Sequence, residues 1–381
     1  MQFRATAAEV RESIDIGVTH WSGAVGPYIW HEFDAARTGA ELHAIAAAGH
    51  HFVRTLLPWD AFMPTERAVD DAELRNFDVM LELAARESLR VIPVLFAQSL
   101  GDCVMLPAYA IDVSRKRPGV RVLSDAVVQP GGPRDQYTDP LMLEAELTWL
   151  ETMLAGFSGH AAISAWDLGH DPASTVRPRR IEQLQRWATL LAERVHARGE
   201  RCTLTLGTSD VTAARGVRLG AVAGAVDRLG LDATLDDRLV FIAQLAQRLA
   251  GGDAAVGVHL APNAGATSAS VGAAAEDLAA SGRVGLYAAA WSESGPRLDL
   301  VAPLERHPEL GRRGVVDVAG TPTAFGRAWI EHAAVDRDRT APAPWPAALD
   351  VESYYANLPD SFADLYAEWQ RGGSDRPAML G

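Results

Sequence analysis

Short apolar segments alternate with longer segments of helical periodicity along most of this chain, and this alternation restricts its possible folds more than any other feature. The short segments are rich in Val, Ile and Leu, whereas the longer ones carry apolar residues three and four positions apart. Strands that are apolar on both faces are typical of parallel sheets covered by helices. Eight strand candidates occur, at residues 14–21, 52–59, 89–97, 162–170, 201–209, 224–232, 254–262 and 283–292.

Eight strands alternating with helices predict an α/β protein with a (β/α)8 barrel, and 381 residues suit that architecture. A doubly wound sheet is the alternative, although it normally has fewer strands for this length. The segment after the first strand, GVTHWSGAVG, lacks the spacing of a dinucleotide-binding loop, so no cofactor is expected. We predict a barrel domain over residues 1–335 and, over residues 336–381, a proline-rich linker with a C-terminal helix packed on the barrel.

The charge pattern limits the class of partner. The formal net charge is -14, and the arginines are scattered along the chain, which argues against nucleic acid or an anionic membrane as a partner. The N-terminal segment has no apolar signal region and no apolar run reaches the length of about 18 residues that a membrane helix needs, so a cytoplasmic location is expected. Cys103 and Cys202 occur in unrelated contexts, and neither a disulfide framework nor a thiolate metal site is indicated.

One long interruption separates the third strand from its helix, at residues 98–139. It is rich in Pro, Gly, Arg and Asp. Structureless loops of this length are uncommon in compact domains unless they are functional or disordered. In a barrel it would lie at the C-terminal face of the strands, where binding sites are built. We expect this loop to border the site, and it is a candidate contact surface for a protein partner.

Several segments together resemble the cellulase-type glycoside hydrolases of clan A, which are (β/α)8 barrels that cleave glycosidic bonds with two glutamates. The resemblance covers most of the chain and depends on the order and spacing of its motifs more than on any single one. The motifs at the strands are GPYIWHEFD after the first strand, FVRTLLPWDAFMP at the second strand, WDLGHDP at the fourth strand, and RVGLYAAAWSES with PLERHPELGRRGVVDVAGTPT at the eighth strand. A further motif, PGGPRDQYTDP, precedes the third helix.

The resemblance implies roles for individual residues. Arg54 matches an arginine that helps to hold the nucleophile, and Trp291 matches a tryptophan that stacks on a pyranose ring at the floor of the sugar site. Asp171 matches the acid/base glutamate, and His170 takes the place of the asparagine before it. Trp59 and Trp166 would complete the walls of a saccharide cleft.

The catalytic positions depart from the family pattern. Replacing the acid/base glutamate by Asp171 withdraws the carboxyl group by roughly 1 to 1.5 Å, and a misplacement of about 1 Å can cost on the order of 100-fold in rate. Asp232 stands at about the place of a histidine on the sixth strand. The seventh strand should carry the nucleophile, yet residues 254–266 contain no carboxylate and His259 and Leu260 stand in its place. A retaining glycosidase requires both carboxyl groups.

An alternative alignment makes VGVHLAP the sixth strand and RVGLYAAAWSE the seventh, with Glu293 as nucleophile. Three hypotheses therefore follow. The favoured one is a saccharide-binding protein that has lost the retaining nucleophile, with service as an accessory subunit of a sugar-processing system as one role open to it. The second is an active glycoside hydrolase that uses Asp171 with Glu293 or Asp232. The third is unrelated chemistry at a metal held by the strand-end histidines His20, His170 and His259.

Overall fold

The computed structural model of the protein contains a closed barrel of eight parallel strands, β1 to β8. Each strand pairs with the next along the chain, and β8 pairs with β1. The strands are β1 Ile16–Thr19, β2 Phe52–Leu56, β3 Arg90–Val94, β4 Trp166–His170, β5 Cys202–Gly207, β6 Arg228–Thr234, β7 Val256–Ala261 and β8 Val284–Ala288. The structure describes residues 15–96, 99–115, 117–213, 217–251, 256–263, 267–280, 284–333 and 349–372.

The closed barrel confirms the predicted fold class and excludes the doubly wound sheet, because β8 returns to pair with β1. All eight predicted strands are present at their predicted places. Segment VGVHLAP forms β7, since its neighbours on the two sides are β6 and β8. The alternative alignment, which needs this segment as the sixth strand, is therefore wrong.

Helices cover the outside of the barrel and begin at recognisable caps. The carboxylates of Asp34, Asp70 and Asp139 accept backbone N–H groups at the start of three of them. The longer helices are Ala35–Ala47, Asp71–Arg86, Pro140–Phe157, Ile181–His196, Leu239–Leu249 and Ser268–Ala280. Shorter helices are Trp59–Phe62, Pro172–Thr175, Ser209–Thr212, Leu219–Ala223 and Ala324–Ala328, the last continuing into Trp329–Ala333.

The long interruption after β3 folds into sheet structure rather than an open loop. A four-stranded sheet consists of Ser99–Leu100, Cys103–Met105, Arg121–Ser124 and Val127–Gln129, and a second pair joins Ile111–Asp112 to Gly132–Pro133. A further parallel pair, Ala290–Ser292 with Gly314–Val316, follows β8. Residues 97, 98 and 116 lie outside the described part of the chain.

The barrel interior is polar and depends on glycines for space. The ring of Tyr287 on β8 fills the lower interior, and a Cβ added at Gly17 or Gly285 would lie 2.6 or 2.8 Å from it. Tyr287 receives a hydrogen bond from Arg228 at 3.0 Å, and Arg228 pairs with Asp15 at 2.5 Å. This layer closes the bottom of the barrel, so any open site lies above it.

Two helices near the C-terminus, Val351–Ala356 and Asp360–Gly372, lie against the outside of the barrel. Phe241 of helix Leu239–Leu249 contacts the rings of Phe362, Tyr366 and Trp369. The hydroxyl of Tyr354 donates to the carbonyl of Val211 at 2.6 Å. The predicted linker falls mostly on residues 334–348, which are outside the described residues. Among the described helices, none has the length and apolar character to cross a membrane.

Candidate functional site

A cavity of about 230 Å³ opens at the C-terminal ends of the barrel strands. Its walls come from several strand ends and from the sheet inserted after β3. The strand-end residues at its lining are Thr19, His20, Trp21, Arg54, His170, Asp171, Asp232 and His259, and the insertion contributes Ser99, Leu100, Gly101 and Met105. The location agrees with the usual position of binding sites in this fold.

Arg54 lies at the base of the cavity in a buried ion pair. Its Nε and Nη2 atoms donate to Asp167 Oδ2 at 3.1 and 2.9 Å, and the Thr205 hydroxyl donates to the same oxygen at 2.8 Å. The side chains of Arg54 and Asp167 are 3% and 1% exposed. Arg54 is therefore neutralised by a carboxylate of β4 and does not depend on a nucleophile for its partner.

Sequence reasoning missed Asp167, although it lies within the WDLGHDP motif. The signal for it was available: an acid flanked by apolar residues in a buried strand requires a cationic partner. Its second oxygen accepts the N–H of Gly169 at 3.1 Å, which fixes the bulge between Asp167 and His170. This irregularity turns the following residues toward the cavity.

His170 connects the ion pair to the opening of the cavity. Its Nδ1 atom lies 3.3 Å from Arg54 Nη2, and its Nε2 atom lies 3.5 Å from Asp232 Oδ2. Burial lowers the pKa of His170, and the charge of Asp232 acts in the opposite direction. The neutral ring can thus accept from Arg54 through Nδ1 while it donates toward Asp232 through Nε2. The prediction that His170 and Asp232 lie in one site agrees with this geometry.

Asp171 follows at the rim of the cavity and adopts a left-handed backbone conformation with φ of 47°. Its carboxylate accepts a hydrogen bond from the Ser174 hydroxyl. A Cβ placed on Gly207 would lie 3.0 Å from Asp171 Oδ2, and Gly207 is the register partner of Asp232. Gly207 of β5 therefore lies between the two strand ends that carry these acids.

A third acid, Asp210, lies behind this pair. It is buried, and its oxygens accept the N–H groups of Val217 at 2.7 Å and Gly207 at 3.2 Å. Burial and the neighbouring charge of Asp171 raise the pKa of Asp210 to about 7. Sequence reasoning did not single it out, because Asp210 lies on the short helix Ser209–Thr212 after β5 and has no motif of its own.

His259 of β7 lines the cavity at the strand where the predicted resemblance would place a nucleophile. Its ring stacks on Tyr287 with centroids 4.9 Å apart, and burial holds its pKa well below the ordinary value. Its Nδ1 atom has no hydrogen-bond partner among the described residues. Leu260 is buried and does not line the cavity. A neutral imidazole therefore faces the space, and no carboxylate does so from this strand.

His20 forms a separate hydrogen-bonded group on the opposite wall. Its Nε2 atom lies 2.8 Å from Glu41 Oε2, and the Ser22 hydroxyl donates to Glu41 Oε1 at 2.6 Å. Burial acts to raise the pKa of Glu41, but the bonds from His20 and Ser22 hold it below the ordinary value. Glu41 is thus an ionised partner of His20. It was not anticipated because it lies on an outer helix, Ala35–Ala47.

The structure does not bring the three predicted tryptophans to the cavity. Trp59 and Trp166 are fully buried, and Trp59 packs against Phe96 with ring centroids 5.5 Å apart. Trp291 is 5% exposed, and the centroid of its ring lies 5.8 Å from that of the His50 ring. All three are buried in the hydrophobic core. The predictions that Trp291 stacks on a sugar and that Trp59 and Trp166 form walls of the cleft are therefore corrected. Trp21, two residues after β1, is one of the residues that line the cavity, although it too is only 5% exposed.

Glu293 also lies outside the cavity lining. Its backbone N–H donates to the carbonyl of Val316 at 2.8 Å, within the small sheet after β8. The histidines His20, His170 and His259 do not form a metal-ligating group either. Among the described residues, the groups whose possible ligand atoms lie within 4.8 Å of one another are His196, Cys202 and Asp227, and His31, Asp60 and Asp125.

No protein-family model and no curated protein sequence matches this chain. Solved structures do. A GH5_18 structure from Bifidobacterium longum subsp. infantis superposes with a TM-score of 0.78 over 95% of this chain and 90% of that chain, at 15% identity. GH5_18 from Streptomyces cattleya, solved as a variant in complex with Manb1-4GlcNAc, gives a TM-score of 0.75 over 94% and 92%, at 15% identity.

An exo-beta-1,4-mannosidase from Opitutaceae bacterium strain TAV5 is also similar, with a TM-score of 0.69 and 16% identity. The match covers 84% of this chain and 59% of the mannosidase, so this chain spans less than two thirds of that protein. Identities this low establish a shared fold. The predicted resemblance to clan A, cellulase-type glycoside hydrolases is confirmed at that level, since the matched structures include GH5 barrels.

Proposed function

We propose that this protein binds a saccharide in the barrel cavity and does not cleave it by the retaining mechanism. The observation that carries the proposal is the distribution of carboxylates. Asp171 and Asp232 line the cavity from β4 and β6, whereas β7 presents His259. A retaining enzyme requires two carboxyl groups about 5 to 5.5 Å apart on opposite sides of the anomeric carbon, one of them nucleophilic. The imidazole of His259 does not supply that second carboxyl group, and neither does the side chain of Leu260.

The remaining groups suit the recognition of sugar hydroxyls. Asp171 and Asp232 are acceptors, the neutral His170 supplies a donor, and Arg313 adds a cation at the rim. Trp21 is among the lining residues although it is only 5% exposed, and its Nε1 atom donates to Ser294 Oγ at 3.0 Å, which fixes the ring. Apolar faces with a few well-placed polar groups are typical of small-molecule sites.

The ligands in similar structures suggest which saccharide to test first. One GH5_18 structure holds Manb1-4GlcNAc and another holds GlcNAc. We therefore propose a β-linked mannoside disaccharide as the first probe. A protein partner at residues 98–139 and a cytoplasmic location remain predictions.

A second candidate function is an inverting glycoside hydrolase that uses Asp171 and Asp232. The observation in its favour is that both carboxylates line the same cavity, on either side of Gly207. An inverting pair lies about 6.5 to 9.5 Å apart, with room for a water molecule between them. Under this hypothesis one aspartate protonates the leaving group and the other activates the water. Glu293, the other predicted partner of Asp171, does not line the cavity and is not retained.

The first of two measurements tests saccharide binding, and the second separates binding alone from hydrolysis. Calorimetric titration with Manb1-4GlcNAc should show binding that Asp232→Asn weakens by about 10-fold or more, because a hydroxyl loses a charged acceptor. Asp236→Asn is the matched control, since Asp236 pairs with Arg238 at 2.7 Å, away from the cavity. Turnover of aryl glycosides should be equal for the wild type and Asp171→Ala. Turnover that Asp171→Ala or Asp232→Ala abolishes would establish the hydrolase instead.

A further inference from the structure

Three loops bring His31, Asp60 and Asp125 together outside the saccharide cavity. His31 follows β1, Asp60 lies in the short helix Trp59–Phe62 after β2, and Asp125 lies at the turn between Arg121–Ser124 and Val127–Gln129. One possible ligand atom of each lies within 4.8 Å of the others. None of the three lines the cavity described above. Residues so far apart in sequence meet here only because the inserted sheet folds back over the first two loops.

Polar atoms in this cluster lack hydrogen-bond partners. Asp60 is 2% exposed, and its Oδ1 atom has no partner among the described residues. The same holds for both ring nitrogens of His31. A buried polar atom without a partner costs about 1–3 kcal/mol, and more if it is charged. One metal ion can bind only one nitrogen of an imidazole, so it is Asp60 Oδ1 together with one of the His31 nitrogens that points to such a ligand.

The contacts inside the cluster leave room for a small ion. Asp60 Oδ2 accepts the N–H of Asp125 at 3.1 Å and lies 3.6 Å from His31 Nε2, which is beyond hydrogen-bonding distance. Two ligands of one tetrahedral metal ion, each bound at about 2.0–2.2 Å, lie about 3.3–3.6 Å apart. The separation of the imidazole and the buried carboxylate is close to these values.

We propose that His31, Asp60 and Asp125 form a binding site for one divalent transition-metal ion, such as Zn²⁺ or Mn²⁺. One imidazole and two carboxylates give mixed nitrogen and oxygen ligation, whereas Mg²⁺ and Ca²⁺ prefer oxygen ligands alone. Two carboxylates also balance the charge of the ion. Three protein ligands leave coordination positions for water.

The ion would fasten the inserted sheet to the barrel. Asp125 follows strand Arg121–Ser124, whose Leu123 is the register partner of Met105, and Met105 lines the cavity. His31 and Asp60 belong to the loops after β1 and β2. Binding of the ion would therefore hold one wall of the saccharide cavity in place, without contact between ion and saccharide.

The other three-residue group supplies a control. His196 Nε2 lies 3.0 Å from Asp227 Oδ2, and the latter also accepts the N–H of Cys202 at 2.8 Å. These polar atoms already have partners within the protein. We therefore expect the ion to bind at His31, Asp60 and Asp125 and not at this group.

The test is calorimetric titration of the full chain, stripped of metal by a chelator, with Zn²⁺, Mn²⁺ and Ca²⁺ in turn. The wild type should bind one equivalent of Zn²⁺ or Mn²⁺, and its thermal unfolding midpoint should rise with that ion. Asp125→Asn should weaken binding by about 10-fold or more, because it replaces a charged ligand. Asparagine tolerates the left-handed conformation of residue 125, whose φ is 48°, so this variant keeps the turn. His196→Ala should bind as the wild type does.

Three outcomes would overturn the proposal. They are the absence of binding of Zn²⁺ and Mn²⁺ to the wild type, unchanged affinity in a folded Asp125→Asn variant, and loss of the bound equivalent in His196→Ala. In the first case the simpler arrangement holds, in which a protonated His31 pairs with Asp60. Because the titration does not involve a saccharide, a negative result for the metal ion does not affect the proposed saccharide binding. A negative result for saccharide binding likewise does not affect the metal site.

Discussion

Some residues in the barrel interior both stabilise the fold and position the side chains of the cavity. Arg54 is the clearest example. It lines the cavity, yet two of its nitrogens are committed to Asp167 at 3.1 and 2.9 Å. The same guanidinium approaches His170 and so influences which ring nitrogen of that histidine can donate. The ion pair between Arg54 and Asp167 therefore helps to orient His170 in the cavity, and it does so without contact to a ligand.

Removal of one partner of this pair should be costly. We predict that Asp167→Asn lowers the free energy of unfolding by about 3–5 kcal/mol, because it leaves the buried Arg54 cation uncompensated. Urea denaturation measures the change. The exposed pair between Asp236 and Arg238 is the control, and Asp236→Asn should change stability by less than about 1 kcal/mol. A loss in Asp167→Asn no larger than in this control would show that the pair does not stabilise the fold.

His50 should make the fold sensitive to acid. Its Nε2 atom accepts from Trp329 at 2.9 Å, and its Nδ1 atom lies 3.1 Å from the carbonyl of Ile45. Burial lowers the pKa of His50 to about 4. The unfolded chain binds a proton near pH 6.5 and the folded protein does so only near pH 4, so the stabilising contribution of His50 is complete above pH 6.5 and is lost as the pH falls toward 4.

The measurement is the free energy of unfolding of the wild type and of His50→Gln between pH 4 and pH 8. The difference between the two proteins should be largest above pH 6.5 and should shrink toward pH 4. A constant difference across this range would contradict the assignment. An NMR titration of the His50 ring in the folded protein provides an independent check of its pKa.

At the scale of strands and helices, the sequence predicted which elements exist. It was less informative about the direction in which the side chains at the strand ends point. Periodicity predicted all eight strands, because continuous apolar segments between helical ones have few other interpretations. It could not predict the side toward which each terminal side chain points. Trp166 begins β4 and is fully buried, whereas His170, at the end of the same strand, reaches the cavity after a bulge. The bulge has no sequence signature that single-chain reasoning recovers.

Contacts between elements set the second limit. Glu41 and Asp210 matter to the site through partners on other elements, and no local sequence pattern predicts those partners. The apolar neighbours of Asp167 indicate that it needs a cationic partner, but they do not show that the partner is Arg54. The resemblance to clan A hydrolases pointed to the correct strand ends, and Arg54, His170, Asp171, Asp232 and His259 do line one cavity. It failed for Trp59, Trp166 and Trp291 because a large apolar side chain suits the core as well as it suits a sugar.

Gly230 of β6 lies where neighbouring strands pack closely, and this packing can be tested by substitution. A Cβ at Gly230 would lie 2.3 Å from Thr205 Oγ1 and 3.1 Å from His259 Nε2. Gly230→Ala should therefore destabilise the protein by about 1–3 kcal/mol and weaken saccharide binding, since both side chains must move. Gly156, inside helix Pro140–Phe157, has no atom within 4 Å of its added Cβ.

Gly156→Ala should accordingly stabilise the protein by about 0.5–1 kcal/mol and leave binding unchanged. Thermal unfolding and calorimetry on both variants give the comparison. Equal effects of the two substitutions on stability would refute the role assigned to Gly230.

Across the whole molecule, the C-terminal helices extend the core of the barrel. Tyr354 is 2% exposed, and its hydroxyl donates to the carbonyl of Val211 behind β5. We predict that Tyr354→Phe lowers the free energy of unfolding by about 1 kcal/mol, because it leaves a carbonyl without its donor. Tyr366→Phe is the matched control, since the Tyr366 hydroxyl contacts Asp237 in an exposed setting. Chemical denaturation decides between them, and an equal loss in both variants would contradict the prediction.

The central claim is that the barrel retains a saccharide site from which the nucleophile of a retaining glycosidase is missing. Proton NMR of Manb1-4GlcNAc with the protein tests both parts in one sample. We expect saturation transfer from the protein to the disaccharide, together with unchanged disaccharide signals over a day of incubation. Accumulation of the anomeric signals of free mannose would contradict the loss of hydrolysis, and the absence of saturation transfer from this disaccharide would contradict its recognition.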